Sequence, residues 1–426
     1  MKKIIALLLV CAMAFGLVAC GSSKPAETQA PAGTEAPAAT EAPAAEVKDI
    51  TLKVWGPQED QVDSSSWLPT MCEQFNTAHP EWNITFEYAV CPEGDAGKNV
   101  TQDPSAAADV YMFANDQLGT LVQANAIAQL GGTYLDQVLA DNSDSMIASV
   151  TSTDGGVYGI PFTGNTWFMY YDKSVFTEDD IKSLDTMLEK GKVSFPLTNS
   201  WYIASFFFAN GGKIFGDAGV DAAAGVDFGG DKGTAVTEYL VALNANPNFV
   251  VDADGAGMAG LRDGSVNAIF SGTWDAAAVQ EALGDNFGAA QLPTITIGGE
   301  AKQLQSFAGS KAIGVNPNCQ NMQAAVALAV YLGSAEAQLA HYEMRGIIPT
   351  SLALTENATI QADAVAMAQA NTVANTSVVQ PSIPEMNNYW VPAENFGKAI
   401  VSGEVTADNA AEKTEALNTA LNNTGL

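Results

Sequence analysis

Histidine and basic residues are scarce in this chain of 426 residues. The only histidines, His79 and His341, lie far apart in the sequence, which excludes zinc sites built from closely spaced histidine pairs. Eighteen lysines and arginines stand against 48 aspartates and glutamates, and the formal net charge is −30. A field of this sign repels phosphate backbones, so the composition argues against nucleic-acid binding. We expect no metal and no cofactor.

Nucleotide-binding and hydrolase motifs are also missing. No Gly-Lys pair is followed by the Ser or Thr that completes a P-loop, and no G-x-S-x-G nucleophile elbow occurs. Asp252 and Asp254 resemble the start of a calcium loop, but Ala256 stands at the third ligand position and no glutamate closes the loop. The sequence does not decide whether a pair of carboxylates is placed for glycoside hydrolysis, because such a pair is defined by a separation in space of roughly 5 to 9.5 Å.

Long hydrophobic runs are few, and the first of them marks the start of the chain. Residues 4–18 carry no charge and follow two lysines, but the run is shorter than the roughly 20 residues that a membrane-spanning helix needs. It predicts a signal peptide over residues 1–19. The sequence Leu-Val-Ala-Cys-Gly that follows resembles the lipobox of bacterial lipoproteins, which implies lipid attachment at Cys20.

Aromatic residues are absent from residues 21–46, where a six-residue unit rich in Thr, Ala and Pro occurs three times in succession. A segment of this composition cannot bury a hydrophobic core. We therefore expect residues 20–46 to form a lipidated, disordered tether that holds a folded body away from the membrane surface.

Cysteine is sparse in the body of the chain, which contains Cys72, Cys91 and Cys319. Their odd number leaves at least one thiol unpaired. A disulfide between Cys72 and Cys91 is compatible with an exported protein, but the sequence does not establish it. We favour the interpretation that all three are packing residues.

From residue 47 onward, apolar residues follow strand and helix patterns in alternation. Strands are predicted at residues 50–55, 83–88, 109–113, 168–171, 268–271 and 312–315, with helices between them. A helix near residues 63–78 is expected to end before Pro80, and residues 324–332 form an apolar helix too short to span a membrane. The pattern predicts a doubly wound α/β protein with a helical C-terminal region.

Three of the seven tryptophans lie beside turn residues at the ends of predicted elements. Trp201, Trp274 and Trp390 are flanked by Asn, Asp, Ser and Thr, and the ends of elements are where α/β proteins build their sites. A sugar ring offers an apolar face and a rim of hydroxyl groups, which suits an aromatic ring surrounded by amides and carboxylates. These tryptophans indicate a carbohydrate site, the alternative being that each fills a core.

Five sequence blocks resemble the bacterial extracellular solute-binding proteins of the maltose and maltodextrin type, in the same order. The blocks are residues 109–119, 158–162 with 169–173, 208–212, 268–274 with 292–293, and 383–390. The resemblance covers about residues 48 to 420. It implies two α/β lobes of the periplasmic-binding-protein type, joined by several hinge crossings around a ligand cleft.

The resemblance also implies how the chain is divided and what it contacts. Residues 47–162 and 312–359 are expected to form the first lobe, and residues 163–311 and 360–426 the second lobe with the C-terminal helices. The expected partners are an oligosaccharide, the permease subunits of an ABC importer and the cell membrane, which the chain reaches through Cys20. We expect a monomer on the extracellular face of that membrane.

Residue by residue, the resemblance implies a binding set. Trp274 and Trp390 match second-lobe aromatic residues that stack on sugar faces, and Trp201 matches an aromatic residue nearby. Asp116 matches a first-lobe carboxylate that binds hydroxyl groups, although an aspartate here also fits a helix N-cap. Phe113 occupies the position of the aromatic residue that precedes this carboxylate.

Several charged positions of the family carry amides here. Gln117 replaces an arginine, and Asn165 and Asn199 replace glutamates. Amides still bond to hydroxyl groups, so a neutral sugar fits, but its length and linkage stay open. The remaining candidates, each with a solvent-exposed charge as the alternative, are Glu59, Asp60 and Glu394.

The sequence therefore predicts a surface lipoprotein that captures a neutral oligosaccharide, in first place a malto-oligosaccharide, for an ABC importer and breaks no bond. A β-linked or mixed oligosaccharide is the first alternative. A secreted glycosidase and an adhesive surface protein are further alternatives. The excess of acidic residues is explained by the solubility of an exported protein.

Overall fold

The computed structural model describes residues 47–423. Its strands are β1 (Lys48–Gly56), β2 (Trp82–Val90), β3 (Val110–Ala114), β4 (Ile160–Asn165), β5 (Phe168–Asp172), β6 (Val193–Phe195), β7 (Lys213–Ile214), β8 (Val226–Asp227), β9 (Phe249–Val251), β10 (Ala268–Ser271), β11 (Phe287–Ala290), β12 (Thr294–Ile297), β13 (Glu300–Gln303), β14 (Ser306–Val315) and β15 (Ser377–Val379). The signal peptide, Cys20 and the tether lie outside the described residues.

Helices fill most of the sequence between the strands. They are α1 (Trp67–Ala78), α2 (Ala96–Gln102), α3 (Leu118–Gln123), α4 (Gly132–Asp141), α5 (Asp144–Ser149), α6 (Leu184–Lys190), α7 (Ser200–Ala209), α8 (Gly230–Asn244), α9 (Ala256–Asp263), α10 (Ala276–Leu283), α11 (Met322–Leu332), α12 (Ala335–Arg345), α13 (Ala358–Gln361), α14 (Ala364–Asn375), α15 (Asn387–Val401) and α16 (Ala410–Leu421). None of these helices is long and apolar enough to cross a membrane.

Two mixed sheets organise the fold. The first sheet has the order β15-β14-β3-β1-β2, with β4 paired to β14, and the second has the order β11-β5-β10-β6-β9. In the first sheet β1 runs parallel to β2 and β3, whereas β14 runs antiparallel to β3 and β4. Each sheet is covered by helices, and this confirms the predicted α/β fold of two lobes.

All six predicted strands are present, and the largest difference in their bounds concerns β14. This strand has 10 residues and begins at Ser306, whereas the sequence predicts only its end at 312–315. Lys311 interrupts the apolar run, and the pattern therefore hides the first half of the strand. Helix α1 begins at Trp67 rather than near residue 63, because the backbone N–H of Ser65 donates a hydrogen bond of 2.9 Å to Oδ1 of Asp63 in a turn.

The core of the first lobe lies between its sheet and helices α1 and α11. Trp67 is fully buried, and its Nε1 donates a hydrogen bond of 2.8 Å to the backbone oxygen of Ala337 in α12. Ala325, Leu328 and Leu332 of α11 are 0% exposed. The prediction that residues 324–332 form a buried helix is confirmed.

The core of the second lobe is rich in aromatic residues. Trp167 stacks on Tyr202 with ring centroids 4.7 Å apart and meets the edges of Phe195 and Phe270. Helix α16 closes this lobe, because Oδ1 of Asn418 accepts a hydrogen bond of 3.0 Å from the backbone N–H of Phe228. The second lobe therefore depends on residues that are distant in the sequence.

Three segments connect the lobes. The first joins β4 to β5, the second is the beginning of β14, and the third lies between α12 and α14, because Val365 and Ala368 of α14 pack in the core of the second lobe. Oγ1 of Thr166 in the first segment donates a hydrogen bond of 2.7 Å to the backbone oxygen of Phe307 in the second. Residues 306–311 and 377–379, which we assigned to the second lobe from sequence, hydrogen-bond within the first sheet because their strands continue through the crossing.

The three described cysteines are free thiols. Cys72 and Cys91 are buried in the core of the first lobe, and Cys319 is half-buried beside it. The open alternative of a disulfide between Cys72 and Cys91 is not realised. Burial raises the pKa of the Cys72 thiol to about 12, so this residue is an inert packing group.

Candidate functional site

A cavity of about 450 Å³ opens where the ends of elements from both lobes meet. Its walls come from the loop before α2, the turn after β3, the N-terminal turn of α7, the turn after β10 and the beginning of α15. The residues that line it are Glu93, Gly94, Ala114, Asp116, Gln117, Asn165, Trp201, Trp274, Lys311, Gln380 and Trp390. Five of the ten binding residues expected from sequence, Trp201, Trp274, Trp390, Asp116 and Asn165, are thus brought together.

Three tryptophans form an aromatic wall. The rings of Trp201 and Trp274 have centroids 6.0 Å apart at an interplanar angle of 35°. Trp390 contacts the edges of Phe307 and Tyr389 at centroid distances of 6.2 and 5.2 Å. Each ring is only partly buried, so a flat face stays available to an apolar ligand surface.

Trp274 is positioned by the glycine that precedes it by two residues. A Cβ on Gly272 would lie 2.1 Å from the indole ring of Trp274, so the ring rests directly against the glycine backbone. The side chain of Trp274 is 39% exposed, which is unusual for a tryptophan. This exposed and fixed ring is suited to binding rather than to filling a core.

Asp116 lies in the helical turn Asn115–Gln117 that follows β3. Its Oδ2 accepts a hydrogen bond of 2.7 Å from Nε2 of Gln117, whereas α3 begins at Leu118 without any side-chain cap. The alternative N-cap role for Asp116 is therefore not observed. Burial raises the pKa of the Asp116 carboxyl to about 6, because the charged form loses hydration there.

Lys311 is the cation among the lining residues, and it lies beside an acid. Its Nζ is 3.1 Å from Oε1 of Glu93, and the same ammonium group lies 5.7 Å from the centroid of the Trp274 ring. These three residues also line a second cavity of about 420 Å³. The two cavities therefore adjoin each other, with Glu93, Lys311 and Trp274 between them.

The second cavity contains both acids expected after the first strand. Glu59 is exposed at its wall, whereas Asp60 is 3% exposed. Oδ1 of Asp60 lies 3.0 Å from Nε2 of His341 and 3.1 Å from Nη1 of Arg345. The carboxylate of Asp60 is thus occupied by two partners from α12.

Three of the expected binding residues do not line either cavity. Phe113 is 0% exposed, because its ring lies in the core of the first lobe against Gly159. Asn199 caps α7, where its Oδ1 accepts a hydrogen bond of 2.9 Å from the backbone N–H of Trp201. Glu394 is paired with Lys398 one helical turn further on.

Sequence reasoning missed three polar lining residues, Glu93, Lys311 and Gln380. Two of them carry a recognisable signal: Glu93 follows the end of β2, and Lys311 is the one charged residue in the apolar strand β14. Gln380 has no such signal, since it reaches the cavity only because β15 pairs with the beginning of β14.

The arrangement can hold a hydroxyl-rich ring. Carboxylates and amide oxygens accept hydrogen bonds from hydroxyl groups, amide N–H groups and the ammonium group donate, and the indole rings take an apolar face. Among residues 47–423, no group of three or more His, Cys, Asp or Glu side chains is placed to hold a metal ion.

Comparison with known proteins gives a consistent result. A curated relative, the maltooligosaccharide ABC transporter solute-binding lipoprotein of Streptococcus pneumoniae serotype 4, is 28% identical over 327 residues, which is 71% of this chain and 74% of the relative. The galactooligosaccharide-binding protein of Bacillus subtilis strain 168 is 24% identical over 431 residues, covering 97% of this chain and 95% of that protein. A solved structure with acarbose is 56% identical, has a TM-score of 0.85 and covers 88% of this chain and 99% of its own.

The family model described as bacterial extracellular solute-binding protein matches residues 70–369, which is more than half of the chain. This match agrees with the relatives and with the two-lobed fold. The resemblance drawn from sequence is confirmed, and the chain belongs to the bacterial extracellular solute-binding proteins.

Proposed function

We propose that this chain is the substrate-binding component of an ABC importer and that it captures malto-oligosaccharides. The observation that carries the proposal is the cavity in which Trp201, Trp274 and Trp390 face acceptors and donors from the first lobe. The relative from Streptococcus pneumoniae, which is named for maltooligosaccharides, supports this ligand class, and the solved structure that is 56% identical to this chain contains acarbose.

The tryptophans and two polar lining residues have defined roles in this proposal. The tryptophans stack on the sugar faces. Asp116 in the first lobe and Asn165 at the first crossing accept hydrogen bonds from the hydroxyl groups of the sugar or donate hydrogen bonds to them. Ligand that touches both lobes favours a closed form over an open one, because only differential affinity for the two forms moves their equilibrium. Glu59 extends the polar wall into the second cavity. In this proposal the protein binds the sugar and breaks no bond in it.

The proposal places the chain at the outer face of the cell membrane. Cys20 carries the lipid, residues 20–46 form the tether, and the permease subunits of the importer receive the sugar. The relative in Streptococcus pneumoniae is named a lipoprotein of an ABC transporter, which supports this arrangement.

Galacto-oligosaccharides are a second candidate for the ligand. The relative from Bacillus subtilis that is named for them covers 97% of this chain. Aromatic rings bind the apolar faces of both sugar types, so the rim of hydrogen-bonding groups decides between them.

Thermal unfolding of the chain without its signal peptide tests the proposal. The panel contains maltose to maltoheptaose, galacto-oligosaccharides and cello-oligosaccharides. A ligand at a hundredfold excess over its Kd stabilises the native state by about 2.7 kcal/mol, which raises Tm measurably. A rise with the malto series supports the proposal, and a rise only with β-linked sugars overturns it.

Product analysis tests the glycosidase alternative on the same samples. A binding protein leaves the chain lengths of a maltodextrin unchanged after prolonged incubation, whereas a glycosidase shortens them. Absence of saturable binding to every sugar would instead favour an adhesive surface protein.

A further inference from the structure

The walls of the first cavity carry three charged side chains. Glu93 and Asp116 supply two carboxylates and Lys311 supplies one ammonium group, so the net charge of the lining is −1 when all three are ionised. A lysine in the wall of a site for neutral ligands needs a physical reason, because its ammonium group loses part of its hydration there.

Lys311 is held in place from two directions. Its backbone lies in β14 between Ala114 of β3 and Thr163 of β4, at a register shift in the β4 pairing. Its side chain is 22% exposed and lies 3.1 Å from the carboxylate of Glu93, which is 11% exposed. Partial burial of both groups makes their interaction stronger than that of a surface ion pair.

The ammonium group also lies over the exposed ring of Trp274, at 5.7 Å from the ring centroid. Lys311 therefore stands beside the surface on which a sugar is proposed to stack. Its charge acts on any ligand group at that position.

We propose that Lys311 determines the charge preference of the cavity by lowering its affinity for analogues that carry a protonated amine, relative to its affinity for neutral oligosaccharides. This inference rests on the proposed function. Without the ammonium group, Glu93 and Asp116 face the ligand alone, and the lining charge becomes −2. A cation then gains a second uncompensated carboxylate, whereas a neutral sugar gains no charge interaction.

Substitutions that change the charge of the cavity lining in opposite directions test this inference. Lys311→Met takes the lining charge to −2, Glu93→Gln takes it to 0, and the double variant returns it to −1. Lys302→Met is the matched control, because Lys302 lies in β13, is paired with Glu300 and lines neither cavity. It changes the net charge of the protein by the same amount.

There are three probes. The first is maltotetraose, the second is maltotetraose in which the 6-hydroxyl group of the terminal ring is replaced by a primary amine, and the third has the C6 hydroxymethyl group of that ring oxidised to a carboxylate. Calorimetry at about pH 8 keeps Asp116 ionised, since its pKa is about 6. The readout is the ratio of the affinity for each charged probe to the affinity for maltotetraose.

We expect Lys311→Met to raise the ratio for the amine by about tenfold and to lower the ratio for the carboxylate. Glu93→Gln changes both ratios in the opposite direction, and the double variant and Lys302→Met stay near the wild-type values. If Lys311→Met weakens all three probes equally, the lysine only supports the Trp274 ring and the inference is overturned. If wild-type protein binds none of the sugars, the proposed function fails as well, which is a distinct result.

Discussion

The indole Nε1 of Trp201 donates a hydrogen bond of 2.9 Å to Oε1 of Gln380. Trp201 belongs to the first turn of α7 in the second lobe, and Gln380 follows β15, which pairs with the beginning of β14 at the second crossing. The backbone of Gln380 is itself fixed, since its N–H donates a hydrogen bond of 2.9 Å to the oxygen of Ala308. The crossing thus sets the orientation of an aromatic wall of the cavity.

Gln380→Leu is expected to weaken sugar binding by roughly fivefold. The substitution removes the acceptor of the Trp201 indole N–H, and one hydrogen bond contributes about 1 kcal/mol. Gln380→Glu keeps an acceptor at the same place and should bind a neutral sugar with nearly the wild-type affinity. Isothermal calorimetry with maltotetraose distinguishes the two, and equal losses in both variants would contradict this account.

Gly272→Ala is expected to displace the Trp274 ring. An added Cβ would lie 2.1 Å from that ring, which leaves no room for both groups. Since Trp274 is 39% exposed, the ring can move into solvent at little cost in stability, but affinity for a stacking sugar should fall by about tenfold.

Gly131→Ala is the matched control, because nothing lies within 4 Å of a Cβ added there. Trp274→Ala should lose as much affinity as Gly272→Ala, and the double variant should lose little more. Additive losses would show that the glycine acts on the ligand by another route. Sugar titrations followed by tryptophan fluorescence measure these affinities.

The stability of the protein should carry a signature of Asp116 between about pH 4 and pH 6. Burial raises its pKa from 3.8 to about 6, so over this range the folded chain holds a proton that the unfolded chain has lost. The contribution of this group to the free energy of unfolding therefore falls as the pH rises and is constant above about pH 6.

Urea unfolding of wild type and Asp116→Asn without ligand measures this contribution as the difference between the two proteins at each pH. The affinity for sugar should rise through about pH 6 in wild type only, because an ionised acceptor bonds hydroxyl groups more strongly. A difference that does not change between pH 4 and pH 6 would rule out a raised pKa.

Asp60→Asn is expected to lower the free energy of unfolding by about 2 kcal/mol. Oδ1 of Asp60 contacts both His341 and Arg345, and its charge is buried, so loss of that charge leaves Arg345 without its partner. Glu59→Gln is the neighbouring control, because Glu59 is exposed and should change stability by less than about 0.5 kcal/mol. Chemical denaturation without ligand makes the comparison, and similar values for both would show that the α12 contacts contribute little.

The sequence was most informative where a pattern is local. Strand β1 alternates apolar and polar residues and β10 is a short apolar run, so each was predicted close to its actual position. The beginning of β14 was not predicted, because Lys311 interrupts the apolar residues by which a buried strand is recognised in the sequence. The order of strands in a sheet depends on contacts between distant residues, which a single sequence does not contain.

The site was predictable to a similar extent. The tryptophans were found because turn residues around an aromatic residue mark the end of an element. Phe113 was placed in the site by similarity, but side chains alternate along a strand, and the next residue, Ala114, lines the cavity instead. Gln380 and Lys311 come to the cavity through crossings between the lobes, and no local pattern predicts where a crossing leads.

The placement of β14 and α16 has a consequence for how the protein is made. The first sheet needs β14 between β3 and β4, and the second lobe needs Asn418 and Asn422 of the last helical region to bond to β8 and the residue after it. The first lobe can complete these contacts only after β14 has been synthesised, and the second lobe only after α16. A nascent chain therefore completes the native contacts of both lobes only late in its synthesis.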